Sequence, residues 1–549
     1  FISSTEIRSS IDLNRDISRQ IDPLAQQYIY KYGLYLREPQ YKSLIQTKTI
    51  EIEIVEDLKE DFIEYLEREF GHELYMKSLY ELENKLEYKI LLVKNAKYNS
   101  ILGFSTFYWV PSNQLFEEFK DRDITEYLRI HSRGKLLVLS GIYTKYNSDY
   151  LIETVLNETL AYSIVEDYNY SIFKNELSYK NRRDLEESLK IQGFKETPFN
   201  YNSSPIFMVD MNNPMTLNQN LENLLKPPYD TNPQILDVIG KTRKELKKSL
   251  SNLYPGELLL SFNRDMIYSK LIQKICDTNK VPIIQGENRK LGPNICVPFG
   301  SILNGMILPN TVTKTMHTEK IFNSSITDFT IANYPNYLSL KNQAKVFNSF
   351  NRPMILVDDL LHKGYRLNVI EPIIKEADIN INKVIVGILT GRGKEIGDIK
   401  NLDVDAAYFV PNLKSWFNES DQYPFMGGDM VYREGTDYDN LIPSINLILP
   451  YASPSFIKST TGEAIYTLSE TCLLNTIKIF KIIEQVYQET NEKSLIIRNL
   501  SEVLTAPRRP DNYSSIEYYG NKKPSICLES DLEHLIRIEN IIHKDFYRK

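Results

Sequence analysis

Residues 49–56, TIEIEIVE, carry an apolar side chain at every second position, and this alternation predicts a strand. The next stretch, LKEDFIEYLEREF, repeats its apolar residues at three and four and predicts a helix. Strands are expected at YKILLVKN, SILGFSTFYWV and LLVLSGIYT (136–144), then a long helix from Tyr150 to Tyr168 and a strand at NYSIFKN. The helical pattern NRRDLEESLKIQGF closes at Gly193, and a strand at PIFMVDM follows. PPYDTNPQ (227–234) has the composition of a linker. Beyond it, helices are expected through KTRKELKKSLSNLY and ELLLSFNRDMIYSKLIQKI. The strands NICVPFG (294–300), MILVDD, KVIVGILTG and DAAYFVP then alternate with polar and helical segments, and Pro309 to Asn336 shows little periodicity. After residue 450 the apolar positions return to helical spacing, as in TGEAIYTLSETCLLNTIKIFKIIEQVYQ and DLEHLIRIENIIHKDF. Strands alternating with helices imply a parallel sheet with ligands at the strand C-termini. The expected class is α/β and multidomain, with a mixed sheet first, a parallel sheet second and a helical C-terminus.

At 549 residues the chain is too long for one hydrophobic core, and about three domains are expected. The formal net charge of −7 gives no electrostatic footprint for nucleic acid. No apolar run approaches the length of a membrane span, and the start lacks a signal-peptide pattern. Cys276, Cys296, Cys472 and Cys527 lie far apart, as do the six histidines, so neither a zinc site nor a redox pair is expected. Reduced thiols point to a cytoplasmic location. Cys296 reads as a small buried hydrophobe.

Ser3, Ser4 and Thr5 are N-cap residue types, and Arg8 falls one turn into the helix they begin. Hydroxyls, free amides and an arginine at one helix start suit a phosphate. A second helix is expected over Pro23 to Tyr32, closed by Gly33. With Ile2, Ile7, Tyr28, Ile29, Leu34 and Tyr35, this stretch (1–38) resembles the C-terminal end of nicotinate-nucleotide adenylyltransferases. The resemblance implies that Ser4, Thr5 and Arg8 are the remnant of an ATP-phosphate site. That family's HxGH motif does not occur in this sequence, and the expectation is a fragment of a longer fusion.

The order of elements over residues 40–215, with a helix ending SLKIQGF before the last strands, resembles the GNAT N-acetyltransferase fold. That family cradles the pyrophosphate of acetyl-CoA in a glycine-bearing loop after its central strand. The equivalent stretch here, TKYNSDY (144–150), has no glycine, so a close backbone approach is hindered. Glu153 and Tyr168 are the acid–base groups on offer, and a non-catalytic domain is the expectation.

Residues 353–367, PMILVDDLLHKGYRL, carry the most information. An apolar strand delivers Asp358 and Asp359 to a loop with Gly364 and then to a helix, an arrangement suited to a phosphorylated sugar. Residues 225–450 thereby resemble type I phosphoribosyltransferases. The resemblance gives Asp358 and Asp359 the ribose hydroxyls, and gives Leu361, His362, Lys363, Gly364, Tyr365 and Arg366 the 5′-phosphate. Pro298, Phe299, Gly300 and Ser301 would form the turn near pyrophosphate, and Lys314, His317 and Lys320 would be basic residues of a mobile loop. Mg2+ is expected with the diphosphate. DDLLHKGYR departs from the family pattern of paired threonines, since His362 and Lys363 replace small hydroxyls and Arg366 replaces the last threonine. A strand-end acidic pair serving only local structure is the alternative. Gly427, Gly428 and Asp429 mark a turn, with Arg433 near enough in sequence to reach an anion. Residues 451–549 read as a helical cap or dimerisation element.

The reading is therefore a transferase of nucleotide metabolism acting on a phosphorylated sugar or nucleotide, placed in pyridine-nucleotide synthesis or salvage by fusion logic. The partner is a small molecule, with no nucleic acid, no membrane and a homo-oligomer allowed. The alternatives are a non-catalytic nucleotide-sensing or scaffold module, and a GNAT-type acyltransferase.

Overall fold

The computed structural model describes residues 3–12, 17, 20–22, 24–25, 28–29, 34–35, 50–70, 79, 82, 84–146, 148–174, 182–284, 290–303, 306–335, 337–432, 441–511 and 518–546. Gly33, most of the helix expected over Pro23 to Tyr32, and Arg433 lie outside the described residues. Contacts divide the chain into two compact units. One comprises Ile50–Arg264 with Asn412–Lys549, the other Phe1–Thr49 with Asp265–Pro411. The stretch expected as one domain over 225–450 therefore contributes to both.

The larger unit opens with the expected mixed sheet. Its strands are β1 (Ile50–Val55), β2 (Leu86–Asn95), β3 (Ser100–Val110), β4 (Leu136–Thr144), β5 (Tyr170–Lys174), β6 (Lys195–Tyr201), β7 (Ser204–Asn218) and β8 (Glu257–Phe262). β1 to β4 pair antiparallel in sequence order, β4 pairs β5 parallel, and β5 and β6 pair β7 antiparallel. β1 alternates partly buried and exposed residues along its edge position. β4 is a near-continuous apolar run because both of its faces are covered. The helix Asp149–Val165 is apolar almost all round and correspondingly buried. Phe104, Tyr108, Val138, Tyr143 and Ile172 belong to the hydrophobic cluster on this sheet. Gly193 closes the helix Arg182–Ile191 at φ +95°, where a Cβ would run into the Glu257 carbonyl. ELLLSF, expected as helix, is strand β8, and only Arg264–Asn279 continues as helix. Six apolar residues do not separate the two states by periodicity.

The smaller unit holds the expected parallel sheet. Its strands are β9 (Ile295–Pro298), β10 (Val312–Thr313), β13 (Met354–Leu361), β14 (Ile381–Leu389) and β15 (Val404–Phe409), ordered β10-β9-β13-β14-β15 and parallel throughout. The aperiodic stretch from Pro309 contains β10 and an antiparallel hairpin, β11 (Thr318–Phe322) with β12 (Phe329–Asn333). The N-terminal helix Ser4–Asp12 is part of this unit, since Ile11 and Ile17 are buried with Leu338 and Val346.

The chain then completes the larger unit. β16 (Ser415–Asn418) pairs parallel with the second half of β7, whose other edge pairs parallel with β8. β17 (Asp429–Val431), β18 (Ile442–Ile445) and β19 (Arg508–Pro510) follow, and the long helices Gly462–Asn491 and Pro524–Phe546 supply the expected helical C-terminus. No helix of the described residues is long and apolar enough to cross a membrane.

An ion-pair triad ties these late elements to early ones. Glu419, fully buried just past β16, accepts from Arg243 Nε at 2.8 Å and Nη2 at 2.7 Å. Arg243 also holds Glu222 at 2.7 Å. Removing one partner strands a buried charge, so Arg243→Ala should lower unfolding free energy by about 3–5 kcal/mol. Glu245→Ala, which breaks only the half-exposed pair with Lys478, should cost less than about 1 kcal/mol. Urea titrations of both variants check the contrast, and equal effects would show that the triad is not a structural clasp.

Candidate functional site

In the parallel sheet the chain visits β9, steps outward to β10, then returns to the far side of β9 as β13. The loops after β9 and β13 therefore diverge, and the space between them is where such sheets bind ligands. Val357 lies opposite Pro298 in the register, so the two loops begin at one level. Phe299 to Ile302 and the Asp358–Asp359 pair meet there. The sequence-predicted acidic pair and the Pro298–Ser301 turn are thus brought together.

The pair is buried, and three of its four carboxylate oxygens accept hydrogen bonds. Asp359 Oδ2 accepts from the Ser301 amide at 2.9 Å, and Oδ1 accepts from the Ile302 amide at 2.6 Å. Arg366 Nη1 donates to Asp358 Oδ1 at 2.9 Å and to Asp359 Oδ2 at 3.2 Å. The Asp359 amide donates to Asp358 Oδ1 at 2.9 Å. Gly300 makes room for this packing, because a Cβ would stand 2.8 Å from Asp359 Cγ. Burial pushes the Asp358 carboxyl up to about 6, against the pull of Arg366, and the neighbouring Asp359 pushes it further the same way. The expected open pair facing sugar hydroxyls is, in this structure, a closed network. Arg366, expected at the phosphate, lies across the carboxylates.

The loop that follows leads through a left-handed glycine into an uncapped helix start. Leu361 is buried at the end of β13, and Gly364 adopts φ +66°, which a glycine takes without strain. The helix Tyr365–Glu376 then starts with no side-chain cap. Lys363 is exposed. His362 Nδ1 lies 3.1 Å from Thr390 Oγ1. Burial, then the charges of Lys363 and Arg392, hold the imidazole below its usual pKa. Tyr365 is exposed and meets Phe329 edge to face at 5.0 Å.

The three basic residues expected on a mobile loop occupy ordered positions. Lys314 is buried just past β10, with its amide donating to Cys296 O. The His317 ring lies tilted against Tyr337 at 4.0 Å, and the His317 amide donates to Gln343. Lys320, on β11, lies over Phe322 and Phe329 at 4.4 and 4.7 Å. Sequence reasoning missed Glu319, whose charge acts on Arg366, and Thr390, which orients His362. The signal for the first was present, since TEKIF and FTIAN flank the turn-forming NSSITD. Ser4 and Thr5 are exposed on the N-terminal helix, Ser3 Oγ accepts from the Glu6 amide, and Arg8 lies over the Tyr35 ring at 5.5 Å. All four cysteines are buried thiols.

In the larger unit, β4 and β5 pair parallel from Leu136–Tyr170 to Leu139–Phe173 among the described residues, and β4 itself runs to Thr144. The helix that follows β4 starts at Asp149. Of the candidate acid–base groups, Glu153 accepts from Lys247 at 2.8 Å and Gln219 at 3.0 Å. Tyr168 is buried, with Lys135 over its ring at 4.2 Å, and burial raises its pKa.

No family model matches the sequence, and no curated protein matches it. Among solved structures, the chain is similar to FeeM, an N-acyl amino acid synthase from uncultured soil microbes, at 11% identity and TM-score 0.21, over 29% of this chain and 88% of that one. An N-acetyltransferase from Staphylococcus aureus Mu50 matches at 8% identity and TM-score 0.20, over 29% and 97%. A GNAT-family acetyltransferase from Listeria monocytogenes 4b F2365 matches at 12% identity and TM-score 0.21, over 31% and 99%.

The raised Asp358 pKa fixes a pH dependence. The folded protein keeps a proton there that the unfolded chain releases between about pH 4 and pH 6. A carboxyl raised on folding favours the folded state most below about pH 4 and progressively less as pH rises to about 6. Relative to Asp358→Asn, the wild type should lose stability across that window by up to about 1.4 kcal/mol per pH unit. Urea midpoints of both proteins at pH 4, 5 and 6 measure the difference, and a constant offset would remove Asp358 as a titrating group.

Proposed function

We propose that the smaller unit is a binding module for a phosphorylated sugar or nucleotide, resting in a latched state with Arg366 in the ligand's place on the acidic pair. One observation carries this reading. Arg366 bonds both carboxylates from the first turn of the helix that starts at the Gly364 loop. A ligand with vicinal hydroxyls and a phosphate could exchange with it, the hydroxyls donating to Asp358 and Asp359 and the phosphate taking Arg366, Lys363 and the uncapped helix start. Pro298 to Ser301 would border the sugar. No three His, Cys, Asp or Glu side chains converge as a metal cage among the described residues. Magnesium fits this site as a companion of a ligand diphosphate, because it favours phosphate oxygens and water.

The transferase reading, with pyrophosphate displaced from ribose C1 by a base, requires the same pair unlatched, and the pyridine-nucleotide context rests on sequence fusion alone. An acyl-transfer reading of the larger unit is supported by the mixed sheet with its parallel β4–β5 pair. The missing glycine at 144–150 and the engagement of Glu153 and Tyr168 oppose it.

Calorimetry with ribose 5-phosphate, and with PRPP plus Mg2+, tests the binding reading. The expected result is saturable binding of at least one ligand, weakened by about tenfold in Lys363→Glu, which alters only an exposed loop charge. Absence of heat with both ligands, or binding indifferent to Lys363→Glu and Asp358→Asn, would overturn it. Pyrophosphate release from PRPP with a panel of bases would replace the binding module with the enzyme.

A further inference from the structure

We propose that the phosphate position at the Gly364 loop continues onto the loop after β14, so that the ligand is a 5′-diphosphate with Arg392 on its second phosphate. This deepens the binding reading given above and rests on it. The observation that carries it is a pair of cations brought together by two interlocked loops. Lys363 and Arg392 are both exposed, and neither has an ion pair among the described residues.

The interlock is fixed on both sides of these residues. β13 and β14 are parallel neighbours with Leu361 opposite Leu389, so their loops leave the sheet at one level. The Thr390 amide donates to the Leu361 carbonyl at 3.1 Å, and His362 Nδ1 lies 3.1 Å from Thr390 Oγ1. A Cβ on Gly393 would collide with the Leu361 carbonyl, and one on Gly364 would stand 3.2 Å from Ile396 Cγ2. Lys363 is therefore bracketed by His362 and Gly364, which touch the second loop and its helix. Arg392 lies between Thr390 and Gly393, which touch the first loop. Burial lowers the His362 pKa, and the charges of Lys363 and Arg392 lower it further, as cations near one ring must.

Two like charges held near each other repel until an anion lies between them. Glu395, one turn beyond Arg392, is exposed and has no ion pair among the described residues. Residues 361–366 contain no serine or threonine whose hydroxyl could close around a single phosphate. The uncapped start of the helix Tyr365–Glu376 can meet one phosphate, with Lys363 beside it. The helix Gly391–Ile399 starts differently. Thr390 Oγ1 accepts from the Gly393 amide at 3.0 Å, and the Gly391 amide donates to the Pro411 carbonyl. The second phosphate is thus left to the Arg392 guanidinium, whose planar fork suits two phosphate oxygens.

Calorimetry of the full chain with AMP, ADP and PRPP tests this. AMP and ADP differ only in the second phosphate, and PRPP carries its diphosphate on C1, away from the 5′ group. The expected result is that ADP binds about tenfold tighter than AMP. Arg392→Ala, an exposed change, should weaken ADP about tenfold and leave AMP and PRPP within about twofold. Equal affinities for AMP and ADP, an ADP preference that survives Arg392→Ala, or a loss that AMP and PRPP share would each overturn the diphosphate assignment and leave the binding reading standing. Absence of heat with all three ligands would overturn both.

Discussion

A carboxylate at the end of a buried parallel strand has lost its water and must find a cation or backbone amides. That requirement organises both units. In the smaller one, β13 delivers Asp358 and Asp359 to the sheet's C-terminal edge, where Arg366 and the amides of Ser301 and Ile302 close on them. In the larger one, β16 delivers Glu419, and Arg243 closes on it from the helix between β7 and β8. The C-terminal ends of parallel strands are where α/β proteins usually receive ligands. Here both positions hold an arginine of the chain itself.

How much of this the sequence disclosed depends on how local the cause is. Alternation in TIEIEIV and the apolar run before Asp358 predict β1 and β13 because side-chain period reflects burial. The junction of Asp358 and Asp359 with the Pro298–Ser301 turn follows from strand and loop order. Arg366 was legible as a basic residue at a helix start, but not as the partner of the pair. Its direction depends on the left-handed turn at Gly364 and on the space left beside Gly300. Glu419 and Arg243 are 176 residues apart, and nothing local pairs them. The discontinuous build of the larger unit was hidden for the same reason, since β16 meets β7 about two hundred residues after it in the chain.

The mixed sheet separates fold from chemistry. Its strand order and its parallel β4–β5 pair follow the expected mixed α/β class. Function resides in the site grafted on a fold. At the helix start after β4 the side chains are carboxylates and their lysine partners, and the loop before it lacks glycine.

The latch on the parallel sheet has a corresponding selectivity. A ligand moves such an equilibrium only by its differential affinity for the open and closed forms. Releasing Arg366 leaves two buried carboxylates without their cation and leaves the arginine without an anion. Free phosphate would answer the arginine and abandon the carboxylates, and one of those has its pKa already raised by burial. A neutral sugar would answer the carboxylates and abandon the arginine. Only a molecule carrying hydroxyl donors and an anionic group on one rigid frame meets both demands at once. Under the proposed binding reading, the closed network would favour phosphorylated sugars over their separate halves.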